Sequence, residues 1–91
     1  MTTSPASPAS PASTWTESEN GLTRLFEFAN FVEAFGFVTQ VALIAQRQDH
    51  HPDITISWNK VTVTTMSHDA GNSITDRDHK LTAAIDKLLV H

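Results

Sequence analysis

Apolar and polar residues alternate from Leu22 to Phe28. Leu22, Arg24, Phe26 and Phe28 fall on one face and Thr23, Leu25 and Glu27 on the other, a period that predicts a strand. Trp15 is expected on a short partner strand, with Asn20-Gly21 as the turn between the two. The period then changes. Asn30-Phe31-Val32-Glu33 has the form of a capping box, in which Asn30 accepts from the amide of Glu33 and Glu33 reaches back. The helix that follows has no internal proline and is predicted to run to about Gln48. Phe31, Phe35, Val38, Ala42 and Ala45 form one stripe, and Phe37, Val41 and Ile44 lie beside it. Only a narrow polar strip remains, through Glu33, Gln40 and Arg47. A helix this apolar is buried on more than one side. A sheet covers one side, so another subunit is expected on the second.

Pro52 ends the helix, because the residue before a proline avoids the α region. Ile54, Ile56 and Trp58 alternate with Thr55 and Ser57, and Val61, Val63 and Thr65 with Thr62, Thr64 and Met66. These predict two strands joined by a tight hairpin at Asn59-Lys60. Ser67–Ile74, with Gly71-Asn72, reads as a loop. Thr75-Asp76-Arg77-Asp78 has the form of a helix start, and Leu81, Ile85, Leu88 and Leu89 supply the buried stripe of a last helix. The order strand, strand, helix, strand, strand, helix predicts an α+β fold: a four-stranded antiparallel sheet with helices packed on one face.

Composition narrows the function. Of the 91 residues, 1–13 read MTTSPASPASPAS, without charge or large apolar side chain, so a disordered or polyproline tail is expected there and one small domain over 14–91. The absence of cysteine excludes disulfides and thiolate metal sites. Six basic against ten acidic residues give a net charge of −4 with the basic residues scattered, so no nucleic-acid partner is expected. The apolar-rich stretch Phe26–Ala45 is broken by Glu27, Asn30, Glu33 and Gln40, so no membrane span is expected. The N-terminus has neither a basic nor an apolar leader region, and a cytoplasmic protein is expected.

The chemistry gathers around His50-His51-Pro52. Helix C-terminal carbonyls and Asp49 both favour protonated imidazole there, and Pro52 fixes the direction in which the chain leaves. His68 follows the fourth predicted strand. Asp78 falls on the same side of the last helix as Leu81 and Ile85, so it is expected to point inward. Three imidazoles and a carboxylate could then converge on a cleft. Paired histidines also serve as polar helix-end caps, and Asp78 also reads as the capping carboxylate of its own helix. No metal is expected, because adjacent histidines rarely point at one ion and H-x-x-x-H spacing is lacking.

Phe26-Glu27-Phe28, Phe31, Ala34-Phe35-Gly36-Phe37, Val41-Ala42 and Asp49-His50-His51-Pro52, followed by Asn59-Lys60-Val61, Thr62-Val63-Thr64, His68 and Asp76-Arg77-Asp78, resemble the pterin-4a-carbinolamine dehydratases. The resemblance implies dimers or tetramers. It also implies dehydration of 4a-hydroxytetrahydropterin to quinonoid dihydropterin without a cofactor, recycling the pterin of aromatic amino acid hydroxylases. Carried over, His50 and His68 match the acid/base histidines, His51 the histidine that helps to hold the pterin, and Asp78 the acidic residue of the site. Gln46 stands where the family usually has an acidic residue, and is expected to help bind substrate by hydrogen bonding. Ile54 stands where an aromatic is common. Some members of the family act as dimerisation or assembly cofactors, which is the alternative function.

Overall fold

The computed structural model describes residues 14–89, so the expected Ser-Pro-Ala tail and His91 lie outside the described residues. Four strands and two helices follow the predicted order: β1 Thr16–Ser18, β2 Gly21–Glu27, α1 Phe31–Gln48, β3 Asp53–Ser57, β4 Lys60–Thr65 and α2 Asp76–Lys87. The strands form one antiparallel sheet in the order β1-β2-β4-β3.

Register decides which face is the core. Pairing of Phe26 with Val61, Arg24 with Val63, and Ile54 and Ile56 with Val63 and Val61 puts their side chains on one face. Ala34, Phe37, Val41, Ile44 and Ala45 of α1 and Leu81 and Ile85 of α2 close over that face. Each large side chain buried there contributes about 1.5–3 kcal/mol relative to exposure. The opposite face presents the threonine pairs Thr23–Thr64 and Thr55–Thr62. Thr23 and Thr64 share a hydroxyl hydrogen bond of 2.9 Å.

Three expectations need correction in detail. Both hairpin turns sit one residue earlier than expected. Ser18 pairs with Gly21, which makes Glu19-Asn20 the turn and Gly21 the first residue of β2. Ser57 pairs with Lys60, which makes Trp58-Asn59 the turn and takes Trp58 off the strand. Trp58 has φ 53 and an exposed ring. At Gly21, with φ 114, a Cβ would come within 2.2 Å of the Thr65 carbonyl oxygen, so the close approach of β2 to β4 requires glycine.

The third correction concerns α1. Asn30 caps it by accepting from the Glu33 amide at 2.9 Å, but the Glu33 carboxylate accepts from the Ala29 amide at 3.2 Å, not from the Asn30 amide. The stripe that meets the sheet is Ala34, Phe37, Val41, Ile44 and Ala45. Phe31, Val32, Phe35 and Leu43 are exposed, Val32 to 78%. The helix therefore carries a second apolar surface that neither the sheet nor α2 covers. Among the described residues no helix is long and apolar enough to cross a membrane.

Candidate active site

The C-terminal end of α1 sets the direction of the two adjacent histidines. Asp49 adopts the left-handed conformation, φ 52 and ψ 43, and its amide bonds the Gln46 carbonyl at 3.2 Å. The His50 amide bonds back to the Ala45 carbonyl at 3.1 Å. This helix-closing pattern is usually built on glycine. It turns His50 inward, where the residue is 7% exposed, and leaves His51 at the surface.

His50 meets Asp78, not its neighbour Asp49. His50 Nε2 donates to Asp78 Oδ1 at 2.6 Å. The Asp78 side chain is wholly buried and takes three further donors: the Thr65 hydroxyl at 2.6 Å, the Ser67 hydroxyl at 2.8 Å and the Thr75 amide at 2.9 Å. Burial works against the carboxylate charge. The hydrogen bonds from His50, Thr65, Thr75 and Ser67 together outweigh it and hold the Asp78 carboxyl well below the usual carboxylate range. The inward placement and the capping role are thus both realised, since Asp78 closes the capping box of α2 while anchoring His50.

The other two histidines have separate partners. His51 Nε2 donates to Gln46 Oε1 at 3.0 Å. His68 opens a short 3-10 turn, His68–Ala70, inside the predicted loop, and a bridge between Ser67 and Ser73 closes that loop. His68 Nδ1 donates to Asn72 Oδ1 at 2.9 Å. These acceptors fix the tautomers of the neutral rings. Nδ1 of His50 and of His51, and Nε2 of His68, keep the lone pair. His50 Nδ1 forms no hydrogen bond among the described residues.

His68 lines an open cleft of about 440 Å³ with Glu19, Asn20, Asp53, Thr64, Met66 and Asn72. It lies toward the helix-free face of the sheet, to which Thr64 and Asp53 belong. His50, His51, Gln46 and Asp78 do not line it. The expected convergence on one cleft is therefore not found: His68 faces a cleft of its own, and its loop meets His50 only through Asp78, which touches His50 directly and reaches the residue before His68 through Ser67. Among the described residues no three histidine, aspartate or glutamate side chains gather in a metal-binding cluster.

Several residues of this constellation carry no sequence signal of their own. Thr65 and Ser67 read as strand and loop residues, and Asn72 as a turn residue. Arg77 sends one guanidinium nitrogen to the Asp49 carbonyl and another to the Asp69 carboxylate, each at 2.9 Å. Only the strand alternation, which puts Thr65 on the core face with Val61 and Val63, hints that a polar side chain is needed there.

Comparison with known proteins points one way. The family model described as pterin 4 alpha carbinolamine dehydratase matches residues 2–88. A Picosynechococcus protein with the provisional name pterin-4-alpha-carbinolamine dehydratase is 46% identical over 74 residues, covering 81% of this chain and 79% of that protein. A Rhodospirillum rubrum protein of the same provisional name is 47% identical over 76 residues, covering 84% and 78%. The crystal structure of a transcriptional coactivator/pterin dehydratase from Brucella melitensis superposes with a TM-score of 0.75 at 35% identity, over 82% of this chain and 81% of that one. A pterin dehydratase-like protein identified as a RuBisCO assembly factor in the alpha-carboxysome shares the fold, with a TM-score of 0.66 at 18% identity over 82% and 88%.

Proposed function

The chain belongs to the pterin 4 alpha carbinolamine dehydratase family, and on that premise we propose that it dehydrates 4a-hydroxytetrahydropterin to quinonoid dihydropterin by histidine acid/base catalysis. The reaction needs an acid to protonate the hydroxyl leaving carbon 4a as water, and a base to take the proton from the adjacent ring nitrogen. Imidazoles suit both tasks near neutral pH. The observation that carries the reading is that His50 and His68 each have one ring nitrogen fixed by a protein acceptor and the other left for chemistry, which takes the ring proton where the imidazole is neutral and delivers a proton to the leaving hydroxyl where it is imidazolium. Asp78 orients His50, as a carboxylate behind a working histidine does.

His51, exposed and held by Gln46, has the role of gripping the pterin, with Gln46 setting its tautomer. A neutral amide does this without the negative charge usual in the family. The protein works as a cytoplasmic homo-oligomer, dimer or tetramer, with Phe31, Val32, Phe35 and Leu43 covered by another copy. Mixing purified protein with freshly formed 4a-hydroxytetrahydropterin tests the activity. Dehydration should run well above the spontaneous rate and persist in EDTA. A rate equal to the spontaneous one would refute the reading, and loss in EDTA restored by zinc would turn the histidines into metal ligands.

The uncovered apolar surface of α1 favours a second reading, an assembly or dimerisation factor on the same fold. It predicts a heterologous partner on that surface and no dehydration above background.

A further inference from the structure

Arg77 stands in the first turn of α2, where a cation opposes the helix dipole. Nothing in the local rules for helices places it there. Its guanidinium instead leaves its own helix and spans two loops. Nη2 donates to the Asp49 carbonyl and Nη1 to the Asp69 carboxylate, both at 2.9 Å. Asp49 immediately precedes His50, and Asp69 immediately follows His68. We propose that Arg77 is a positioning residue, a strap that sets the separation of the two histidine loops and through them of His50 and His68.

The chemistry of the contact fits that task. The Asp49 carbonyl lies at the C-terminal end of α1, where positive charge is favoured, and its residue already holds a left-handed conformation without glycine. Asp78 and Ser67 tie the same two loops from inside the fold, and Arg77 ties them from outside. Only the planar fork of arginine reaches two acceptors in different directions at once; lysine offers a single point charge. The Arg77 and Asp69 side chains are 48% and 70% exposed. An ion pair so open to water adds little to stability. Its effect should therefore appear in geometry and rate rather than in folding.

The rate part of the test rests on the dehydratase reading; the spectroscopic part does not. Arg77→Gln, Arg77→Lys, Asp69→Ala and the Arg77→Gln/Asp69→Ala double variant are compared with wild type in dehydration kinetics, thermal unfolding and imidazole nitrogen NMR. Arg77→Gln should lower kcat about ten- to hundredfold, the scale of a small misplacement of catalytic groups, with KM nearly unchanged and the unfolding midpoint nearly kept. Arg77→Lys should fall between wild type and Arg77→Gln. The double variant should lose less than the product of the single losses, because both residues serve one strap. The ring signals of His50 and His68 should shift together in Arg77→Gln. Unchanged kcat and unchanged ring signals in a folded Arg77→Gln would overturn the proposal, as would multiplicative losses in the double variant. If wild type shows no dehydration above background, the functional reading fails. The ring signals then decide alone: a joint shift supports the strap and no shift overturns it.

Discussion

His50 Nε2 and Asp78 Oδ1 lie 2.6 Å apart although 28 positions separate the residues in the chain. The contact joins the end of α1 to the start of α2. It places a buried carboxylate, with four donors on its two oxygens, directly behind a histidine of the family motif.

Removing that carboxylate should cost far more than a helix cap. Asp78→Ala leaves His50, Thr65 and Ser67 without their shared acceptor in a buried site, so a loss of about 3–5 kcal/mol is expected in denaturant unfolding. A loss below 1 kcal/mol, the scale of the capping box alone, would show that the network contributes little.

The same group sets an acid dependence. The Asp78 carboxyl titrates below its ordinary value in the folded protein, so in acid the unfolded chain takes up its proton first. Its stabilisation is complete above the ordinary carboxylate range, about pH 4, and is lost as pH falls from there toward the folded value. Unfolding measured from pH 6 downward should show wild type losing stability more steeply than Asp78→Asn below about pH 4. Parallel curves would contradict this origin.

Much of this was legible in the residues, and the exceptions have physical causes. Alternation at 22–28 and 54–65 located β2, β3 and β4, while β1 begins one residue past Trp15, and Thr75 with Asp78 located the start of α2. Both turns fall one residue before the dipeptides Asn20-Gly21 and Asn59-Lys60, with the positive φ carried by Gly21 and Trp58. On α1 two apolar stripes competed. The sheet took the one containing Phe37, Val41 and Ile44, joined by Ala34 and Ala45, and left Phe31 and Phe35 outside.

In the candidate site the inward direction of Asp78 was legible, because its helical position settled it, whereas the separation of His68 from His50 and His51 was not. The supports of the site were not legible either. Ser67, Thr65 and Arg77 act only through contacts that the fold creates, and a serine in a loop or an arginine on a helix carries no mark of them.

The exposed stripe of α1 makes an oligomer prediction. Val32, Phe35 and Leu43 would leave a monomer with large apolar side chains exposed along one helix, as at an interface. Sedimentation should show at least a dimer at micromolar concentration, and Phe35→Asp should shift it toward monomer. A stable wild-type monomer would exclude self-association through this face.

Gln46 and His51 make a prediction about binding. Gln46→Ala frees the His51 ring, and His51→Ala removes it, so both should raise KM more than they lower kcat. Steady-state kinetics decide it. A fall in kcat with KM unchanged would move His51 from holding the pterin to the chemical step.

The most direct measurement is the dehydration rate of folded His50→Ala and His68→Ala proteins beside wild type and the spontaneous reaction. Acid or base assistance is worth roughly 10²–10⁴-fold, so each variant should lose about that factor, mainly in kcat. The double variant should lose less than the product. Wild-type rates in both single variants, or a wild-type protein no faster than the spontaneous reaction, would contradict the assignment of His50 and His68 as the acid/base pair.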